Sequence, residues 1–127
     1  MELLADTLVL VSAGLFAAMG GWALARPTRV VDRFGIDVTT LDGRNEIGAV
    51  YGGFGVAVAA LLVFAATTDG RGELWIPSIV SVQCLGMATG RIVSMARDRT
   101  RGSRTVWLFV VVELALAVAL FGSHVLR

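Results

Sequence analysis

The sequence predicts an all-α fold, an integral membrane four-helix bundle made of two transmembrane helical hairpins, with a short interfacial helix in the first connection. Composition is the first reason: 56% of the 127 residues are hydrophobic and only 17% are charged, and the mean hydropathy is +0.77. A soluble domain of this length cannot enclose that much apolar surface in its interior. The second reason is patterning, because the apolar residues form four long segments separated by arginine-rich connections. The length predicts a single domain, residues 1–127.

Each apolar segment is long enough to cross a bilayer. The segments cover about residues 8–25, 47–66, 74–96 and 106–126. As helices rising about 1.5 Å per residue, they span the ~30 Å hydrocarbon core. Short second and third connections favour antiparallel neighbours, so we predict two helical hairpins in one bundle.

The arginines orient the predicted bundle. The first and third connections hold four arginines each, whereas the opposite face has only Arg71 and Arg127. The positive-inside rule then places both connections in the cytoplasm and both termini outside. Trp22 and Trp107 fall near the cytoplasmic boundary and Trp75 near the outer one, as in an aromatic belt. Abundant Ala, Val and Gly without any Lys suggest a GC-rich bacterial genome, so we predict a bacterial inner-membrane location.

The first connection, "RPTRVVDRFGID", contains a predicted short helix. Pro27 suits a helix start and Gly35 suits a helix end. Val30, Val31 and Phe34 form an apolar face among charged residues, which is typical of a helix lying in the headgroup region. The alternative is a loop packed under the bundle.

Charged residues within the spans predict a buried polar cluster. Arg91 lies in the third span and Glu113 in the fourth, while Glu46 and Tyr51 lie at the start of the second. A charge at this depth costs at least ~2.5–3.5 kcal/mol, so such residues face the bundle interior and find partners. We expect Arg91 to bind Glu113, with Glu46 at its other edge and Tyr51 donating to either carboxylate.

Three interpretations of this cluster stay open: a structural brace, a site for a ligand, lipid or ion, and a contact surface for another membrane protein. In one hypothesis, two further polar residues extend this polar cluster. Gln83 would bond across helices, and His124, on nearly the same face as Glu113, would continue a proton path. In the plainer version, His124 is an interfacial residue near a helix end.

Glycine spacing predicts close helix packing. Gly48 and Gly52 form one G-x-x-x-G pattern, Gly86 and Gly90 form another, and Gly53 adjoins the first. Small residues at this spacing let helices approach closely in lipid. We expect them to pack the second span against the third; dimerisation is the alternative.

Several function classes lack any signal in the sequence. A net charge of +1 predicts no nucleic-acid partner. The single cysteine, Cys84, forms no redox pair and is expected to pack as a small apolar residue. Metal-ligand spacings, nucleophile–base sets and phosphate-binding glycine motifs are not recognisable, so we predict no enzyme activity, metal or cofactor.

Three motifs follow one another along the chain: "RNEIGAVYGGFGVAVA" at 44–59, "GRIVSM" at 90–95 and "VVELALA" at 111–117. Their order resembles a bacterial membrane family, domain of unknown function 4345. The resemblance covers most of the chain and implies a four-helix fold without an established activity. It also implies the following signature positions: Glu46, Tyr51, Gly52, Gly53, Gly90, Arg91 and Glu113.

We therefore predict a small multi-pass membrane protein with a binding or accessory role, organised around the Glu–Arg–Glu cluster. Expected partners are membrane lipids, another membrane protein or a second copy of the chain. The alternative is a small proton- or ion-coupled transporter that uses Glu113 as its membrane carboxylate. An enzyme acting on a lipid or quinone is a third hypothesis, but no residue pattern specifies a reaction.

Overall fold

A computed structural model describes residues 1–68, 75–97 and 99–126, apart from the surroundings of residues 43, 90, 94 and 97. Every regular element in these ranges is helical. The elements are α1 (Glu2–Ala25), α2 (Pro27–Asp32), α3 (Leu41–Ile47), a π-helical turn (Gly48–Gly53), α4 (Phe54–Thr67), α5 (Trp75–Arg97) and α6 (Arg104–Val125). The predicted all-α class is confirmed.

Four stretches of the described chain are long and apolar enough to cross a membrane: Glu2–Ala25, Arg44–Thr67, Trp75–Val93 and Arg104–Val125. The predicted four-helix membrane fold is therefore confirmed. The first helix begins at Glu2 rather than near residue 8. Its first turns are held by packing, because Ala5 is fully buried although acidic residues flank it.

The helices pair as two hairpins around a narrow core. Helix α5 packs along α6, and α1 packs along the π-helical turn and α4 and also contacts α6. Val9, Leu62, Cys84 and Leu120 belong to the central cluster and are fully buried, one from each span. The buried, free Cys84 packs as the sequence predicted. Apolar side chains on the outer faces are exposed, as lipid contact requires.

The short helix of the first connection is present as α2, and Gly35 ends the following turn with a φ of 72°. Its apolar face is turned toward the bundle, since Val30 and Val31 are buried in a second cluster with Ala23 and Ile47. The first connection therefore contains the predicted helix rather than a plain loop, and the two valines of that helix pack against the bundle.

Two ring contacts show which parts of the chain share an end of the bundle. Phe34, just after α2, lies against Phe109 near the start of α6, with 5.1 Å between ring centroids. Trp75, at the start of α5, lies 5.4 Å from the ring of His124 near the end of α6. The first connection and the start of α6 thus meet at one end. Arg71, Arg127 and the side chain of Arg97, which the orientation argument uses, lie outside the described residues.

Candidate functional site

Arg91 of α5 and Glu113 of α6 form an ion pair between the two helices of the second hairpin. The Arg91 Nε donates to both carboxylate oxygens of Glu113, at 3.0 Å each. The Arg91 Nη2 donates to Oε1 at 2.9 Å. The predicted buried Arg91–Glu113 salt bridge is therefore present, and one guanidinium occupies both oxygens of the carboxylate.

Burial explains why both oxygens of the Glu113 carboxylate are bound by Arg91. The Glu113 side chain is only 6% exposed, whereas that of Arg91 is 27% exposed. A charge this buried is costly unless a partner neutralises it and fills its hydrogen-bonding positions. Arg91 is the matching partner because its planar fork reaches both oxygens at once.

Two aromatic rings enclose the guanidinium. The Arg91 Cζ lies 5.6 Å from the ring centroid of Phe34 and 5.2 Å from that of Phe109. Phe109 is four residues before Glu113, so both occupy one face of α6. Phe34 comes from the first connection, which ties that connection to the second hairpin. Such cation–ring contacts stabilise by about 0.5–1 kcal/mol each at partly exposed sites.

A second polar feature lies where α1 ends and the short helix α2 follows it. Trp22, Arg29, Asp32 and Arg33 line an open groove of about 490 Å³. The Arg33 Cζ lies 5.2 Å from the centroid of a Trp22 ring. The end of α1 and the short helix α2 together hold these side chains.

The chain matches the family described as Domain of unknown function (DUF4345) over residues 4–124. It belongs to the DUF4345 family. The matched region contains all of the ion pair and its flanking rings, so the site lies within the family's shared domain. No curated protein and no solved structure matches the chain significantly.

Glu46 and Tyr51 do not join the ion pair of this DUF4345 protein. Both side chains are exposed, Tyr51 by 41%, and among the described residues neither forms a hydrogen bond or ion pair with Arg91 or Glu113. The physical reason is the rotation of the second span about its own axis. Gly52 is buried against α1, so the adjacent Tyr51 points away from α1 and is exposed. The expected Glu–Arg–Glu cluster is a two-residue pair in the described structure.

The glycines pack a different pair of helices from the one expected. Gly52 and Gly55 face α1, where a Cβ on Gly20 would come within 2.8 Å of the Gly52 carbonyl oxygen and the Val56 nitrogen. Close packing therefore joins the first and second spans, at the π-helical turn, rather than the second and third.

The other glycines of the predicted motif contribute little to packing in the described structure. A Cβ on Gly48 or Gly86 would meet nothing within 4 Å, and one on Gly53 would only reach the Gly48 oxygen at 3.9 Å. The surroundings of Gly90 lie outside the described residues. Gly20 was missed because it has no G-x-x-x-G partner in α1.

The proposed extension does not reach the pair. Gln83 is exposed on α5. His124 lies against Trp75 near the end of α6, and eleven residues of helix, about 16 Å, separate it from Glu113. Sequence reasoning missed two rings that lie against Arg91, those of Phe34 and Phe109. The four-residue spacing of Phe109 and Glu113 was the available signal.

Proposed function

We propose that this DUF4345 protein is a small multi-pass membrane component with a binding or accessory role, and that the Arg91–Glu113 pair braces its second hairpin. One observation carries the proposal: Arg91 donates to both oxygens of Glu113. A carboxylate held in this way fixes α6 against α5. The contact of Phe34 with Arg91 attaches the first connection to the same pair of helices. The exposed surfaces then remain for lipids or for a protein partner in the bilayer.

Transport is the alternative hypothesis, and the ion pair argues against it. A coupling carboxylate must exchange its proton or cation with water on each side during the cycle. Glu113 is 6% exposed and is already neutralised by Arg91, so a coupling cycle would have to break the pair in every turnover. An accessory role needs no such step.

Proton flux in proteoliposomes separates the two hypotheses. We expect vesicles containing wild-type protein and vesicles containing Glu113→Gln to dissipate an imposed pH gradient at the same rate as protein-free vesicles, read with an entrapped pH dye. The substitution removes the ionisable carboxylate and keeps the size and shape of the side chain. A wild-type flux above background that Glu113→Gln abolishes would overturn the accessory role and establish proton coupling.

The same vesicles need a control for protein folding and insertion. Gly21→Ala serves this purpose, because a Cβ at Gly21 meets nothing within 4 Å and is remote in sequence from the ion pair. Its flux should equal that of the wild type under either hypothesis.

A further inference from the structure

The groove formed by Trp22, Arg29, Asp32 and Arg33 carries an excess of positive charge. Its lining contains two guanidinium groups and one carboxylate. All three charged side chains are exposed, and within the described part of the chain none of them forms an ion pair. The groove therefore has unused hydrogen-bond donors of the type that recognises phosphate oxygens.

The position of one arginine in the groove is fixed by an aromatic contact. The guanidinium of Arg33 lies over Trp22 at 5.2 Å, so one of its two cations is held against a ring. Its neighbour Arg29 is four residues earlier, which places both arginines on one side of the short helix and the turn that follows it. A volume of about 490 Å³ lies within the range of small-ligand sites.

We propose that this groove binds the phosphodiester headgroup of an anionic phospholipid. Free phosphate offers the same oxygens, but the position of the groove favours a lipid. Trp22 lies near the end of a membrane-spanning helix, where indole rings occupy the headgroup level. Leu24 and Ile36, nearby in sequence, are 54% and 49% exposed, so this part of the chain also offers apolar surface to lipid.

The inference goes beyond the bracing role and involves none of the residues of the ion pair. It requires only that this end of the bundle lies at the membrane surface. Anionic lipids attract juxtamembrane arginines at the cytoplasmic leaflet, which is where the arginine distribution places this connection.

Lipid binding can be measured on the full chain in dodecyl maltoside micelles. Phosphatidylglycerol is titrated in, and bound lipid is counted by native mass spectrometry, with phosphatidylcholine and inorganic phosphate as separate arms. We expect phosphatidylglycerol to bind at least about tenfold more tightly than phosphatidylcholine, since two arginines near an anionic group contribute at least this much. Inorganic phosphate at millimolar concentration should not displace the lipid.

Matched variants test the location of the site. The double variant Arg29→Gln/Arg33→Gln should weaken phosphatidylglycerol binding at least about tenfold. The control Arg101→Gln/Arg104→Gln removes the same charge from exposed positions in the third connection and at the start of α6, and should bind like the wild type. The single variant Arg29→Gln removes a side chain without a partner in the described structure, so it keeps the fold and should still weaken binding several-fold.

Three results would each overturn the inference: equal weakening in both double variants, equal affinity for the two lipids, or displacement of the lipid by inorganic phosphate. The first result would reduce the groove to general surface charge, the second would show that its arginines do not select an anionic headgroup, and the third would make it a free-anion site. None of these results would affect the Arg91–Glu113 brace, whose failure is read from proton flux and from thermal stability.

Discussion

Replacing Arg91 by alanine should lower the melting temperature of the detergent-solubilised protein by about 10 °C. The change leaves Glu113, which is 6% exposed, without the donors that now occupy both of its oxygens. Removing one partner of a buried pair costs about 3–5 kcal/mol. The lower end, about 3 kcal/mol, applies because Arg91 is 27% exposed, and this corresponds to a shift of about 10 °C for a chain of this size.

A double-mutant cycle distinguishes a direct pair from two separate contributions. Arg91→Gln and Glu113→Gln should each destabilise the protein, whereas the double variant should recover about 1 kcal/mol or more of the summed loss. Neutral glutamines leave no buried charge behind, which is why the second change partly repairs the first. Strictly additive losses would exclude direct coupling between these side chains.

The control for this experiment is Arg101→Ala. Arg101 is exposed, and in the described structure its polar contact is made by the backbone, because its carbonyl oxygen accepts from Trp107 Nε1 at 2.7 Å. Removing its side chain should leave the melting temperature within about 2 °C of the wild type, as for most surface substitutions. A loss equal to that of Arg91→Ala would show that net charge, rather than the buried pair, sets stability.

The second large effect is expected at Gly20, where one methyl group should destabilise the protein by about 2 kcal/mol. A Cβ there would lie 2.8 Å from the Gly52 oxygen and the Val56 nitrogen, and 3.1 Å from the Gly55 carbonyl carbon. These are backbone atoms, so α1 must move away from the second span to make room. Overpacking of this kind typically costs about 1–3 kcal/mol.

The next residue provides a matched comparison. Gly21→Ala adds the same methyl group one position along α1, where nothing lies within 4 Å. Since alanine is the better helix former, Gly21→Ala should be neutral or stabilising by up to about 1 kcal/mol. In the same detergent, Gly20→Ala should therefore have a lower melting temperature than the wild type, whereas Gly21→Ala should have an equal or a higher one. Similar melting temperatures for the two would contradict the close contact between α1 and the π-helical turn.

Much of this architecture follows from local properties of the chain. A span of about 20 apolar residues satisfies its own backbone hydrogen bonds as a helix, so hydropathy alone locates the four crossings. Arg91 and Glu113 were also predictable as partners. Each is too costly to leave alone among apolar residues, and the sequence offers few ions of opposite charge at that depth.

The partners of the remaining polar residues could not be predicted from the sequence by the same argument. Glu46 and Tyr51 lie at the start of their span, where an exposed position costs little, so no penalty forces them inward. Which way they face depends on the rotation of the second span. That rotation is set by the contact of Gly52 and Gly55 with Gly20, about 30 residues away in sequence.

The sequence by itself thus determined the helical class, the four spans and the necessity of a buried ion pair, because each depends on the cost of placing particular groups in an apolar medium. Only the tertiary structure decided which helices approach closely and that Phe34 and Phe109 enclose Arg91. It also decided that α2 buries its apolar face under the bundle. These outcomes depend on how helices rotate against one another, and that rotation is settled by packing between residues distant in the chain.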